Sequence, residues 1–173
     1  MGTTILNDED KPVITRPDID EKAHKGEMFF VSNVYTVAAG ATVYFRHKGT
    51  GYHYLHSIID ANSTGEWDLK SYSGTTYTND GTEKEPINRK SDSTYEPTTK
   101  FYINPVIDVL GDERLYIKFG SGTNPSQGTT GSFSEVIRSV FDPNADVLIA
   151  FTNNTNGEQS LTVLLNAFEE VES

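Results

Sequence analysis

Cysteine is absent from the sequence, and long apolar runs are absent as well. Without cysteine the chain can form neither a disulfide nor a thiolate metal site. The longest uninterrupted apolar run covers only residues 147–151, whereas a membrane-spanning helix needs about 20 apolar residues. No basic segment leads into an apolar stretch near residue 1, so the sequence carries no sign of a secretory signal. We therefore expect a soluble protein without a membrane partner.

Basic residues are scarce relative to acidic ones. The chain has 14 Lys and Arg against 25 Asp and Glu, giving a formal net charge of −11. Proteins that bind nucleic acid gain affinity by replacing the counterions of the phosphate backbone with Lys and Arg. The charge balance therefore predicts that nucleic acid is not a partner. Beyond Arg138 there is no base at all, which is typical of a solvated end or of one that meets a basic partner.

The motifs of common catalytic and metal sites are also missing. On a strand His53 and His56 would point to opposite faces and would not share one ion. Glu66 and Asp68 share a strand face, as a pair of glycosidase carboxylates could. The same spacing is also typical of the solvent-exposed face of any strand. No phosphate-binding glycine motif or nucleophile elbow occurs. We predict no catalytic residue, no metal and no cofactor, while a hydrolase using Glu66 and Asp68 stays open as an alternative.

Residues 1–27 form a charged leader without aromatic side chains, and they contain Pro12 and Pro17. The leader has too few large apolar groups to build a core, so either it is disordered or a neighbouring molecule orders it. Because proline favours extended geometry at the residue before it, we predict an extended docking arm. A floppy terminus is the alternative. The side chains expected to dock are Ile5, Leu6, Val13, Ile14, Arg16, Pro17 and Ile19.

The body, residues 28–173, shows alternating apolar positions punctuated by turn residues, which predicts strands. Trp67 and Leu69 should point inward from one half-buried antiparallel strand, and Leu55 and Ile59 should share a face of another. Further strands are expected near residues 28–35, 43–45, 101–107 and 115–119. Residues 79–100 and 120–131 are predicted to be long loops.

Two segments near the end of the body need separate interpretation. Residues 132–141 fit either a strand or a single helical turn. Residues 146–153 and 160–169 are predicted to pair as a hairpin around Asn156-Gly157, since both residues tolerate positive φ. Many short strands without a long amphipathic helix predict an all-β fold, an antiparallel β-sandwich of jelly-roll type that carries the extended N-terminal arm.

Aromatic residues supply the remaining candidates for binding. Trp67, Tyr72 and Tyr77 offer large contact areas with polar groups, which suits protein interfaces or the stacking of sugar rings. Packing inside the sandwich is the alternative for each of them. We keep these three as possible glycan-binding or interface residues.

Two stretches carry a resemblance. Residues 15–32, TRPDIDEKAHKGEMFFVS, and residues 141–155, FDPNADVLIAFTNNT, resemble segments of small virion proteins of tailed bacteriophages. The resemblance implies a capsid decoration or head-fibre protein. We expect it to assemble in the host cytoplasm and to sit on the capsid exterior, bound to the major capsid protein, as a homotrimer or another small symmetric oligomer. The alternative is a module of a phage fibre that binds a host surface glycan.

Overall fold

The computed structural model describes residues 17–63, 65–120 and 132–170, and for residues 17–20 and 132–138 the backbone only. Strands dominate this part of the chain. The elements are α1 Pro17–Lys25, β1 Met28–Val37, β2 Thr42–Lys48, β3 Tyr54–Ser63, β4 Trp67–Ser73, β5 Thr76–Asn79, β6 Thr82–Lys84, β7 Ile87–Asn88, β8 Lys100–Ile103, β9 Val106–Val109, β10 Asp112–Phe119, β11 Ser132–Phe141, β12 Asp146–Asn153 and β13 Gln159–Glu170.

Two antiparallel sheets pack face to face. The five-stranded sheet has the order β11-β3-β13-β1-β7 and the six-stranded sheet the order β10-β4-β12-β2-β8-β6. Along the chain the long strands alternate between the sheets, except that β4 and β10 are neighbours in the same sheet. Eight strands connected in this way form a jelly roll. The predicted all-β sandwich is therefore confirmed.

The core lies between the sheets and follows the period-two pattern of the sequence. Trp67 and Leu69 are 0% and 1% exposed, as predicted, and Leu55 and Ile59 share the buried face of β3. Residues 132–141, which the sequence left ambiguous, form strand β11. The strand predicted over residues 101–107 is interrupted, because Asn104 takes a left-handed backbone conformation with φ of 51° ahead of Pro105.

The predicted hairpin of residues 146–153 and 160–169 is wrong. Both strands exist, but β12 pairs with β2 and β4 in one sheet, whereas β13 pairs with β1 and β3 in the other. Residues 147–151 are all buried, so β12 needs a central place with both faces covered. The connection arches between the sheets, and Asn153 Nδ2 fixes it by donating to the carbonyl oxygens of Val37, Ala38 and Gly157.

The prediction of an extended leader is wrong for residues 17–25, which form helix α1. Pro17 is the first helical residue, where the amide hydrogen that proline lacks would have no helical partner. Gly26 ends the helix at φ of 75°, and the amides of Gly26 and Glu27 bond to the carbonyls of Ala23 and Lys22, as in a Schellman cap. Residues 1–16 lie outside the described residues.

Residues 79–100, predicted to be a loop, contain two short strands. β6 extends the six-stranded sheet beyond β8, and β7 extends the five-stranded sheet beside β1. Pairing of this kind uses backbone groups, so a segment with few apolar side chains can still supply edge strands. Of the second predicted loop, residues 121–131 lie outside the described residues.

Strands β5 and β9 form a separate two-stranded ribbon. It packs over the outer face of the six-stranded sheet and covers a second apolar cluster. The cluster contains Tyr72, Leu148 and Ala150, with Tyr44, Tyr77 and Ile107 packed against them.

Candidate functional site

Helix α1 is fixed to the sandwich at the corner where the leader meets the body. Lys22 Nζ lies 2.7 Å from Glu27 Oε2 and 5.6 Å from the centre of the Phe168 ring on β13. Ser93 Oγ donates to the Gly26 carbonyl at 2.6 Å. These contacts hold the end of the leader against β13 and against the segment that follows β7.

An open groove of about 560 Å³ lies beside the helix and is lined by Ala23, His24, Phe30, Arg89 and Lys90. The half-buried ring of Phe30 lies on the outer face of β1, and Arg89 follows β7 with its amide bonded to the Met28 carbonyl. Arg89 and Lys90 are exposed. The groove therefore combines apolar surface with basic side chains.

The segment beyond β7 is held by a buried carboxylate, Glu169 on β13. The amides of Thr98 and Thr99 donate to it at 2.6 to 3.0 Å, and the Tyr95 hydroxyl donates at 2.8 Å. Burial alone would raise the pKa of Glu169, but the hydrogen bonds from Thr98, Thr99 and Tyr95 together outweigh it and hold the pKa below its usual value. Glu169 thus fastens residues 95–99 to the sandwich as a carboxylate.

The predicted docking residues fall into two groups, of which the structure describes one. Pro17 and Ile19 belong to the first half of α1. The other predicted docking residues precede the described part of the chain and are Ile5, Leu6, Val13, Ile14 and Arg16. Whether they contact a capsid stays a prediction.

Two of the three predicted glycan or interface aromatics, Trp67 and Tyr72, are buried, and Tyr77 is half-buried. Trp67 is 0% exposed and stacks on Phe119 in the core. Tyr72 is 8% exposed and lies beneath the β5–β9 ribbon. The half-buried ring of Tyr77 lies 3.7 Å from the guanidinium carbon of Arg46. Trp67 and Tyr72 therefore offer no free ring face for stacking on a sugar, whereas Arg46 covers one face of the Tyr77 ring.

The candidate acid and histidine pairs are separately engaged. Asp68 accepts a hydrogen bond from the Tyr116 hydroxyl at 3.2 Å, and Glu66 lies 3.6 Å from Lys118. His53 contacts Thr98, whereas His56 stacks on Phe168 and lies 3.1 Å from Glu170. Within the described ranges no group of three or more His, Asp or Glu residues is arranged to hold a metal ion.

The polar network around Arg46 was not anticipated from the sequence. Its guanidinium is bonded to Asp146 and Asp80 and is 2% exposed, although it lies on the outer face of the sheet. Nothing in the alternation of β2 signals that the β5–β9 ribbon would cover it. The groove beside α1 was missed for a similar reason, since it forms only when residues 23–30 and 89–90 meet in space.

Among the described residues no helix is long and apolar enough to cross a membrane. No family model, curated protein or solved structure matches this chain.

Proposed function

We propose that this chain is a virion structural protein that decorates and reinforces an assembled capsid of a tailed bacteriophage. Residues 1–16 dock on the major capsid protein, and the jelly-roll body projects from the capsid exterior. Two features of the sequence support this proposal: the core-poor leader, and the resemblance of residues 15–32 and 141–155 to phage virion proteins.

The observation that carries the proposal is the attachment of α1 to the sandwich. Lys22 and Gly26 tie the helix to Glu27, Phe168 and Ser93, so the segment before residue 17 starts from a fixed corner of the body. Extended, a segment of that length reaches at most roughly 55 Å. Its apolar side chains, at residues 5, 6, 13 and 14, are spaced to enter grooves of another protein.

Reinforcement follows when several copies are linked. A homotrimer would present three docking segments, and engagement of one raises the effective concentration of the others. A local opening of the lattice would then have to break several contacts at once.

A glycan-binding module of a phage fibre is the weaker alternative. In it, loops 79–100 and 120–131 grip the glycan while Trp67 or a tyrosine stacks on the sugar ring, but Trp67 and Tyr72 are at most 8% exposed.

Co-sedimentation with undecorated capsids of the encoding phage tests the proposal. We expect a chain lacking residues 2–16 to lose capsid binding while its circular dichroism spectrum is retained. The double variant Val13→Asp, Ile14→Asp should bind at least about tenfold more weakly. Thr3→Asp, Thr4→Asp is the matched control, because it adds the same two charges without removing an apolar group. Undiminished binding by the truncated chain would refute docking through this segment.

A further inference from the structure

The groove beside α1 is a basic surface on an acidic protein. Arg89, Lys90 and His24 surround an apolar floor formed by Phe30 and Ala23, in a chain of net charge −11. Most other described bases are each matched by a carboxylate. The pairs are Lys22–Glu27, Lys25–Glu21, Arg46–Asp146, Lys70–Glu113, Lys100–Glu83, Lys118–Glu66 and Arg114–Asp112.

Arg89 is unlike those bases. In the portion of the chain that is described, its guanidinium has no hydrogen bond and no carboxylate within 4.0 Å, and the same holds for the ring of His24. Lys90 lies 3.5 Å from Asp92, but both side chains are exposed, and such a pair contributes little. The groove therefore keeps a guanidinium with its planar set of donors unused.

Negative charges near the groove are weaker than the positive charges that line it. Ala23 and His24 lie in the last turn of α1, where the helix dipole places about half a negative charge. The Lys22 and Ala23 carbonyls of that turn are bonded by the amides of Glu27 and Gly26. Arg89 carries a full positive charge, and Asp92 offsets the charge of Lys90 only in part because both side chains are exposed. The groove therefore stays net positive against this partial charge. An anion is therefore favoured at the groove.

We propose that this groove binds an acidic peptide segment of the docking partner, with an aliphatic side chain on Phe30 and a carboxylate on Arg89. A guanidinium and a carboxylate pair in a bidentate geometry. A small inorganic anion would make no use of the apolar floor, whereas an aliphatic side chain would pack on it. A volume of about 560 Å³ accommodates a few residues. The identity of the partner, the capsid subunit beside the docked leader, rests on the proposed function.

Titration of the full chain with an acetylated, amidated peptide of alternating leucine and glutamate tests the groove. In nitrogen-15 correlation spectra, saturable shifts are expected at residues 23, 24, 30, 89 and 90. Arg89→Gln should weaken the binding at least about fivefold, since it removes charge-assisted hydrogen bonds. Lys48→Gln, which removes one charge from an exposed position on β2, should leave the binding unchanged. A leucine-lysine peptide should not bind.

Three results would overturn the proposal: no saturable shifts at the groove, equal binding by Arg89→Gln, or equal weakening by Lys48→Gln. The capsid assay separates this failure from failure of the proposed function. If capsid binding requires residues 2–16 but the peptide does not bind, the proposal for the groove is wrong and the proposed function is retained. If the peptide binds at the groove but the protein does not bind capsids, the proposed function is wrong and the groove is retained as a peptide-binding site.

Discussion

Arg46 and Asp146 form a bidentate ion pair beneath the β5–β9 ribbon, with Nε to Oδ1 at 2.7 Å and Nη2 to Oδ2 at 2.6 Å. A third carboxylate oxygen, Asp80 Oδ1, lies 2.6 Å from Nη1. The Tyr77 ring lies 3.7 Å from the guanidinium carbon. Because the Arg46 side chain is only 2% exposed, these partners must compensate its charge in place of water.

Asp146→Ala should therefore destabilise the protein by about 2 kcal/mol in urea unfolding, because it leaves a buried guanidinium with one partner. Asp80→Ala is the matched control. It removes a carboxylate from the same guanidinium, but the Asp80 side chain is 52% exposed, so we expect a cost below about 1 kcal/mol. Equal costs for the two variants would show that the lower exposure of Asp146, 32%, does not matter.

Gly26 combines a positive φ with a close neighbour, and its replacement should loosen α1. A Cβ at Gly26 would lie 2.7 Å from Ser93 Oγ and 2.8 Å from Ser93 Cβ. Gly26→Ala should lower the unfolding free energy by about 2 kcal/mol, part of it from the left-handed backbone.

Gly40→Ala is the control, since Gly40 has φ of 69° and nothing within 4 Å. It should show the backbone cost alone, about 1 kcal/mol. If the two variants were equally stable, contact with Ser93 would not hold the helix end.

Glu169 makes stability depend on pH in the acid range. Its pKa is lowered in the folded state, so the unfolded chain takes up the proton first as pH falls. The stabilisation is complete above the usual pKa near 4.5 and is lost as pH drops through the folded value. Glu169→Gln should lose about 2 kcal/mol at pH 7, because its amide nitrogen cannot accept from Thr98 and Thr99, and its acid slope should be shallower.

Glu170→Gln is the control for this prediction, since the neighbouring side chain is 52% exposed. Unfolding free energies measured from pH 3 to pH 7 should show the altered slope in Glu169→Gln and not in Glu170→Gln. An unchanged slope in Glu169→Gln would contradict the role of the carboxylate.

The alternation of single strands was predictable, but the pairing of strands was not. Trp67 and Leu69 alternate with polar neighbours, and burial follows directly from the period of a strand. The same pattern in β12 and β13 does not say which strands lie beside them, so the predicted hairpin failed. A five-residue connection with Asn156-Gly157 suits a tight turn as well as an arch between sheets, and the side chain of Asn153 decides between them.

The candidate site was predictable only in part. The change of composition at Met28 marks where the leader meets the body. Helix α1 was missed because its polar sequence gives no apolar periodicity, and its stability comes from the Gly26 cap and from contacts of Lys22 with Glu27 and Phe168. The groove and the Glu169 contacts join residues that are far apart in sequence, and no local pattern reports such contacts.

His47 should make the protein lose stability at mildly acidic pH. Its side chain points into the core against Phe141, is 1% exposed, and has no hydrogen-bond partner on either ring nitrogen. Burial lowers the pKa of His47 to about 4, despite the opposing attraction of Asp146. The unfolded chain, with its histidine pKa near 6.5, therefore binds the proton first. About 2 kcal/mol of unfolding free energy should be lost between pH 7 and pH 5, a higher pH range than the one in which Glu169 acts.

His47→Leu should flatten the dependence of the unfolding free energy on pH in this range, whereas His24→Gln at the exposed surface should not. Urea unfolding across this range checks the expectation, and an equally steep loss in His47→Leu would assign it to another group.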